Sequence, residues 1–312
     1  RRPGAVADGE RRVSTHLRLS IPAKVEGLHV IASVSGGKDS TALILALREA
    51  GIPARYVFAD TGWEAPETIA YLDYLRETLS IAIDVVGKPG GMVDRVRHSA
   101  GFPGRMQRWC TRELKIEPLR AYHDAVIEET GIETVSTMGV RAEESESRSR
   151  LAELEDEPEG RGSWGGWIWR PLLRWSVRDV LEIHNRHGVR VNPLYQRGHN
   201  RVGCYPCIFA TKEEIRLIAD HAPGRIDEIR KLEGEMSALR VSRNAETPGR
   251  YRHEDAQFFQ VAHARGLPVG IDEVVAWART DRGGRQFSLL APAPTGGCMR
   301  WGICDLPSKE EQ

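Results

Sequence analysis

The sequence predicts an α/β fold: a doubly wound, parallel sheet of five strands, followed by a mostly helical C-terminal region. Three observations support this prediction. Short β-branched runs alternate with helical stretches, a glycine-rich loop separates the first strand from the first helix, and the pattern after about residue 176 is helical. Strands that alternate with helices favour a parallel sheet with right-handed crossovers and helices on both faces.

The predicted elements follow one another in the order that such a fold requires. Strands are predicted at residues 28–34, 55–59, 81–86, 133–139 and 167–172. Helices are predicted at residues 39–50, 65–79, 111–129, 177–187, 212–221, 225–239 and 256–265. The acidic and then glycine-rich stretch 153–166 predicts an exposed loop that could serve as a lid. The chain then divides into an N-terminal extension (1–27), an α/β domain (28–190) and a helical C-terminal region (191–312).

Composition and charge narrow the classes of function. Of the 312 residues, 40% are hydrophobic and 28% are charged, a globular balance. The 44 basic and 44 acidic residues cancel, so no overall field draws the chain to nucleic acid or membrane. No apolar run approaches the roughly 20 residues of a membrane span. The first residues lack an apolar signal core, so a cytoplasmic location is expected.

Two local clusters of basic residues depart from this balance. They favour small anionic ligands, and a nucleic-acid strand remains an alternative. The clusters are Arg105, Arg108, Arg112 and Lys115, and then Arg141, Arg148 and Arg150.

The loop Ser35-Gly36-Gly37-Lys38-Asp39-Ser40, between the first strand and the first helix, predicts a phosphate site. Its glycines let the backbone approach a ligand, and the amides at the helix N-terminus attract phosphate oxygens. The two serines add hydroxyl groups, Lys38 adds a positive charge, and Asp39 could hold Mg²⁺. The loop matches neither the Walker motif nor the dinucleotide motif. The alternative is an ordinary glycine turn with a helix cap.

This loop resembles the PP-loop of the adenine nucleotide alpha hydrolases. Three later segments are similar to the phosphoadenylylsulfate (PAPS) reductase branch of that superfamily: 58–64 (Phe-Ala-Asp-Thr-Gly-Trp-Glu), 109–118 (Trp-Cys-Thr-Arg-Glu-Leu-Lys-Ile-Glu-Pro) and 139–148 (Gly-Val-Arg-Ala-Glu-Glu-Ser-Glu-Ser-Arg). The resemblance covers residues 28–210 in matching order. It implies a Rossmann-like, nucleotide-binding domain at 28–190.

The resemblance also implies which residues bind ATP and act on it. The expected catalytic residues are Lys38, Asp39, Lys115 and Arg141. The expected ATP-binding residues are Ser33, Ser35, Gly36, Gly37, Lys38, Asp39, Ser40, Phe58, Asp60, Thr61, Gly139, Arg141 and Arg148. The arginines suit a bidentate grip on phosphate as pyrophosphate departs.

Two departures from the reductases bear on the activity. Reductases that act on PAPS have a degenerate phosphate loop, whereas this loop is complete. Those reductases also end in Glu-Cys-Gly-Leu-His, and the nearest analogue here is 302–305 (Gly-Ile-Cys-Asp), a poor match. The chain therefore resembles more closely the members that adenylate a substrate with ATP and then deliver sulfur, such as tRNA-thiolating enzymes and the sulfur-transfer component of DNA phosphorothioation.

The five cysteines predict metal or redox chemistry rather than disulfides, because an odd count in a large chain does not suit a disulfide framework. Cys204 and Cys207 have Cys-x-x-Cys spacing, and Cys110 precedes a predicted helix. Zinc and a [4Fe–4S] cluster both accept four cysteines. Cluster-bearing relatives favour iron–sulfur, with Cys110, Cys204, Cys207 and Cys304 as ligands and Cys298 as the alternative fourth ligand. Five reduced cysteines without a cofactor are the plainer alternative.

Several of these residues have a plain structural alternative. Arg148 could pair with neighbouring glutamates, Lys115 could be a solvated helix lysine, and Asp60 could cap the end of a strand. The histidines 184, 187, 199 and 221 lack metal-ligand spacing and are expected to be surface or packing residues. The tryptophans 164, 167 and 169 could stack on a nucleobase, but core packing is the preferred interpretation.

Three functions follow for the chain as a whole. The first is an ATP pyrophosphatase-type enzyme that adenylates an acceptor for sulfur transfer, with Mg²⁺ and a cluster. Its partners would be a sulfur donor such as a cysteine desulfurase, an acceptor (tRNA, DNA or a small molecule), and a second copy in a homodimer. The second is a PAPS or adenylylsulfate reductase that releases sulfite. The third is a non-catalytic nucleotide-binding component of a modification or defence system.

Overall fold

The computed structural model describes residues 19–104, 106–158, 165–259 and 269–281. Within them, one sheet of six strands has the order β3-β2-β1-β4-β6-β5. The strands are β1 His29–Ser33, β2 Ala54–Asp60, β3 Asp84–Gly87, β4 Thr134–Thr137, β5 Leu154–Glu157 and β6 Gly166–Trp169. Five of them are parallel, and only β5, at the edge, runs antiparallel to its neighbour among the described strands.

The predicted fold class is confirmed, but the predicted strand count is wrong by one. Strand β5 lies inside the stretch 153–166 that the sequence predicts as an exposed loop. Its acidic sequence is compatible with a strand because Arg170, which is fully buried, pairs with Glu155 at 3.0 Å. Residues 159–164, the remainder of the predicted lid, lie outside the described part of the chain.

Eleven α-helices or helical turns accompany the sheet in the described residues. They are α1 Lys38–Glu49, α2 Pro66–Leu79, α3 Gly91–Ser99, α4 Trp109–Thr111, α5 Glu117–Thr130, α6 Glu146–Ser149, α7 Val177–Arg186, α8 Pro193–Gln196, α9 Lys212–His221, α10 Pro223–Glu246 and α11 Ile271–Ala278. None of those described is long and apolar enough to cross a membrane.

One helix prediction is confirmed with a local change, and another is wrong where the structure describes it. The predicted helix 111–129 is helical throughout, but a π-helical turn at Arg112–Ile116 lies between α4 and α5. The predicted helix 256–265 is wrong for residues 256–259, which are not helical, and the rest lies outside the described residues. Helices α3 and α11 were not predicted from the sequence.

The two faces of the sheet are covered by different helices, as double winding requires. Along β1, Val30 and Ala32 face a core that includes residues of α1, α2 and α7. Ile31 lies between them and faces the opposite core, which includes Leu119 and Val126 of α5. The strict alternation follows from the two-residue repeat of a strand.

Another apolar core lies beyond the carboxyl end of β2, apart from the two on the faces of the sheet, and we call it the second core. Its centre is Trp63, which is fully buried and stacks on Phe258 with ring centroids 5.9 Å apart. Helices α9, α10 and α11 contribute most of the remaining apolar side chains. This core therefore joins residues from both sides of the predicted boundary at 190, and it lies directly beside the edge of the sheet at which ligands bind in open α/β folds.

Candidate functional site

The phosphate loop connects β1 to α1, as predicted, and its backbone conformation requires glycine at one position. Gly36 has φ of +75°, and a Cβ atom there would lie 2.8 Å from Thr68 Cγ2. Ser35 and Ser40 close the loop across its mouth, because Ser40 Oγ lies 3.2 Å from both the backbone nitrogen and the Oγ of Ser35. The loop is therefore a rigid turn that presents the N-terminus of α1.

Asp39 organises the charge of the loop. Its two carboxylate oxygens contact different cations, Lys38 Nζ at 3.0 Å and Arg141 Nε at 2.5 Å, and it is 1% exposed. Burial alone would raise the pKa of Asp39, but the positive charges of Lys38 and Arg141 hold it below its usual range. Asp39 is therefore ionised and holds both cations.

Gly139 lies where β4 leads toward Arg141, and it packs against the loop backbone. A Cβ atom at this position would lie 2.6 Å from the carbonyl oxygen of Asp39 and 3.0 Å from the nitrogen of Ser40. Only glycine allows this approach without a backbone shift. Close packing between the phosphate loop and the segment after β4 therefore explains why position 139 requires glycine.

A recess that opens to solvent adjoins the loop. The residues at its wall come from β1, from β2, from the π-helical turn and from the segment before the cysteine pair. They include Ser33, Ser35, Phe58, Glu64, Lys115 and Gly203. Four predicted site residues are thus brought together, and Lys115 is buried rather than solvated. A π-helical turn often marks a functional position, and this one carries Lys115 to the recess.

Glu64 is a site residue that the sequence analysis did not single out. Its carboxylate accepts hydrogen bonds from Thr61 N at 3.1 Å, Thr61 Oγ1 at 2.7 Å and Trp63 N at 3.1 Å. Burial raises the pKa of Glu64 above its usual range, although the charge of Lys115 opposes this. Glu64 fixes the turn after β2 and places a carboxyl group at the recess opposite a buried lysine.

Three side chains from one later segment hold the loop backbone. His184 Nε2 lies 2.9 Å from the carbonyl oxygen of Lys38, and Asn192 Nδ2 donates to the carbonyl oxygen of Gly36 at 3.1 Å. The hydroxyl of Tyr195 accepts a hydrogen bond from the Lys38 amide at 3.2 Å. His184 is buried, as a packing residue should be, but spacing alone gave no sign of these contacts. We call His184, Asn192 and Tyr195 the loop brace.

The cysteine pair lies against the same part of the molecule. Cys204 forms an isolated antiparallel bridge with Glu64, and Tyr205 N donates to the carbonyl oxygen of Trp63 at 2.8 Å. Trp63 Nε1 in turn donates to the carbonyl oxygen of Pro206 at 3.0 Å. These bonds tie the Cys-x-x-Cys turn to the segment that follows β2, one residue away from the wall of the recess.

The predicted metal ligands are only partly described. Cys110, Cys204 and Cys207 are not joined in disulfides. All three have intermediate exposure and pack against the second core. Cys204 and Cys207 line one further recess together with His199. In the parts of the chain that the structure describes, no group of three or more histidine, cysteine or acidic residues is arranged to hold a metal ion. Cys298 and Cys304 lie outside the described residues.

The other described residues that the sequence singled out, Asp60, Arg148 and two tryptophans, do not line the recess beside the phosphate loop. Asp60 accepts a hydrogen bond from Gly62 N at 2.8 Å, so it caps the end of β2. Arg148 is buried and forms an ion pair with Glu144. Trp169 is buried in the sheet core, as preferred from the sequence, and Trp167 packs partly buried against it, whereas Trp164 and Arg105 lie outside the described residues.

Comparison with known proteins identifies a family domain and relatives of this chain. Residues 29–210 match the phosphoadenosine phosphosulfate reductase domain. The chain is 32% identical, over 84% of its length, to an uncharacterized 37.8 kDa protein of Escherichia phage 186, of which the match covers 91%. It is 29% identical, over 68% of its length, to the adenosine 5'-phosphosulfate reductase of Burkholderia cepacia, of which the match covers 86%.

A similar solved structure is the phosphoadenylyl-sulfate reductase from Candida auris in its phosphate complex. It has a TM-score of 0.46 and 17% identity, and it covers 59% of this chain and 84% of that chain. The resemblance inferred from the loop and the three later segments is confirmed by the domain match, which covers more than half of the sequence. The chain belongs to the phosphoadenosine phosphosulfate reductase domain family.

Proposed function

We propose that this protein binds ATP and cleaves it at the α phosphate, adenylating an acceptor so that sulfur can be delivered to it. The observation that carries the proposal is the complete phosphate loop, in which Asp39 holds both Lys38 and Arg141. Two fixed cations beside a helix N-terminus suit a polyphosphate, because they stabilise the charge that develops as pyrophosphate leaves.

The adjoining recess supports a position for the nucleoside next to the loop. Phe58 offers an apolar face, and Glu64 and Lys115 offer charged groups on the same wall. An acceptor oxygen then attacks the α phosphorus while the bond from that phosphorus to the pyrophosphate oxygen breaks. Lys38 and Arg141 hold the departing pyrophosphate, which leaves with the electron pair.

Mg²⁺, when bound with the nucleotide, would neutralise phosphate charge. Both oxygens of Asp39 already contact cations, so Asp39 does not suit the metal role that the sequence suggested. Among the carboxylates predicted for the site, Asp60 at the end of β2 is the better candidate, because it is half-exposed and its bond to Gly62 N occupies only one oxygen.

The second half of the reaction would deliver sulfur. A donor such as a cysteine desulfurase carries sulfur as a persulfide, and a second thiol releases hydrosulfide from it by forming a disulfide with the donor cysteine. Hydrosulfide then displaces AMP: the bond from acceptor to sulfur forms as the bond from acceptor to AMP oxygen breaks. The position of Cys204 and Cys207 beside the recess supports a role for them in this half. With Cys110 and Cys304 they would hold a [4Fe–4S] cluster or, as the alternative, zinc. The acceptor would be tRNA, DNA or a small molecule.

The test of this proposal is the identity of the products. Protein incubated with Mg²⁺, sodium hydrosulfide and ATP labelled at the α phosphate, with total tRNA or duplex DNA as acceptor, should form labelled AMP and an equal amount of pyrophosphate. Lys38→Met should slow this by about 100-fold or more, because a charge at the leaving group is lost. Lys88→Met is the matched control, since Lys88 is exposed and pairs with Glu117. ADP and phosphate as products would contradict the proposal.

A sulfonucleotide reductase is the second candidate, favoured by the similarity to the Burkholderia enzyme and by the cysteine pair beside the recess. In such an enzyme a cysteine, expected at Cys304, would attack the sulfur of adenylylsulfate or PAPS and displace the nucleotide. A second thiol would then release sulfite by forming a disulfide with that cysteine. Sulfite release by the wild-type protein that disappears in Cys304→Ser, with nucleotide binding kept, would favour this candidate. The complete phosphate loop argues for ATP instead.

A further inference from the structure

We infer that Tyr195 is a phosphate-binding residue, whose hydroxyl extends the anion-binding surface of the phosphate loop. The inference rests on the part of the proposed function that places nucleotide phosphates at the loop, and it does not depend on cleavage at the α phosphate. No motif in the sequence singles out this tyrosine.

The Tyr195 hydroxyl lies at the N-terminus of α1. It accepts a hydrogen bond at 3.2 Å from the amide of Lys38, the first residue of α1. Amides of this first helical turn have no partner within the helix and are the groups that bind phosphate oxygens at a helix N-terminus. A tyrosine hydroxyl can accept one hydrogen bond and donate another. It can therefore accept from Lys38 N and donate its own proton to a phosphate oxygen.

The side chain of Lys38 lies over the ring of the same tyrosine. Its Nζ lies 5.1 Å from the centroid of the Tyr195 ring and 3.0 Å from Asp39 Oδ2. The ammonium group therefore lies beside the Tyr195 ring, and the Tyr195 hydroxyl lies at the amide of the same lysine, so both groups are close to the start of α1. We place a phosphate between them. A phosphate at that position would receive a positive charge from one side and a hydroxyl donor from the other.

The segment that carries Tyr195 is fixed before any ligand arrives. Asn192 caps α8 through Oδ1, which accepts from Leu194 N at 3.0 Å, while its Nδ2 donates to Gly36 O at 3.1 Å. Leu194 is buried in the second core, so α8 is held by the phosphate loop on one side and by this core on the other. Binding groups that are already in position lose less conformational freedom when a ligand binds.

The test compares the affinity of three proteins for inorganic pyrophosphate and for ATP, measured by isothermal titration calorimetry. Tyr195→Phe should weaken both by about tenfold, the effect of one hydrogen bond to a charged group. Tyr74→Phe is the matched control: its hydroxyl accepts from the Arg190 amide at 3.2 Å, and Arg190 lies over its ring at 4.2 Å. This control should bind like the wild type, and the unfolding temperatures of the two variants should agree.

The inference is overturned by any of three results: Tyr195→Phe binds pyrophosphate as tightly as the wild type, Tyr74→Phe loses as much affinity, or the wild type binds neither ligand. Failure of the proposed function is a different result, in which ATP binds with the expected dependence on Tyr195 but no AMP forms.

Discussion

At the scale of single residues, the site is organised by side chains that hold other side chains. Asp39 fixes Lys38 and Arg141, and its predicted catalytic role stays a prediction. The sequence could identify the loop because glycines and a helix start leave a local pattern. It could not identify the loop brace, because the partners of these residues are distant in sequence, 157 residues apart in the case of Tyr195 and Lys38. Glu64 has local partners in Thr61 and Trp63, but its place in the recess depends on the distant Lys115 and Gly203.

Gly139→Ala tests the close approach between two site segments. The added Cβ would lie 2.6 Å from Asp39 O, so the backbone must shift at a cost of about 1–3 kcal/mol. Stability falls and nucleotide binding weakens together, because the displaced atoms belong to the loop. Gly234→Ala, in open space within α10, should instead stabilise by about 0.5–1 kcal/mol. Urea unfolding and titration with ATP measure both effects; a neutral Gly139→Ala would contradict this account.

At the scale of elements, the strands with apolar, β-branched sequences were predictable, and the acidic strand β5 was not. Its sequence, Leu-Glu-Asp-Glu, lacks the alternation of apolar and polar residues that predicts a half-buried strand. The strand depends on a partner instead: Arg170 donates to Ala152 O at 2.9 Å and pairs with Glu155 at 3.0 Å. Burial of one arginine thus replaces the usual apolar pattern.

Arg170→Met should therefore loosen β5 before it affects the rest of the sheet. Loss of a buried cation leaves a partly buried glutamate and a carbonyl oxygen without their donor, at a cost of about 2–3 kcal/mol. Hydrogen exchange should quicken at residues 154–157 and stay slow in β1. Arg150→Met is the control, because Arg150 is 73% exposed and its pair with Glu146 should contribute little. Equal exchange in both variants would rule out this role for Arg170.

At the scale of the whole molecule, the alternating pattern was enough to predict a doubly wound sheet, since hydrophobic periodicity and crossover handedness leave few topologies. The predicted boundary at 190 and the cysteine ligands remain predictions. The second core draws on residues 63–102 as well as on α9 to α11, and no local pattern announces such long-range packing.

Iron analysis tests whether the cysteines bind one iron–sulfur cluster. Anaerobically purified protein should be brown, with about four irons per chain. Cys204→Ser should lose the iron, because it removes one arm of the Cys-x-x-Cys turn, whereas Cys298→Ser should keep it if Cys304 is the fourth ligand. Colourless protein that contains zinc would remove the argument for a cluster, and iron loss in Cys298→Ser alone would exchange the roles of the two C-terminal cysteines.

The contact between Trp63 and the later helices limits how this domain can be recombined. The family match ends at residue 210, yet Arg225 lies 4.4 Å over the Trp63 ring and donates to Glu64 O at 3.1 Å. A chimaera that joins residues 29–210 to a foreign C-terminal half would keep the geometry of Glu64 only if the new half supplied a flat apolar surface and a cation for this tryptophan. The segment after 210 thus supports the recess wall indirectly, because Arg225 holds Trp63 and the carbonyl oxygen of Glu64, and Glu64 lines the recess.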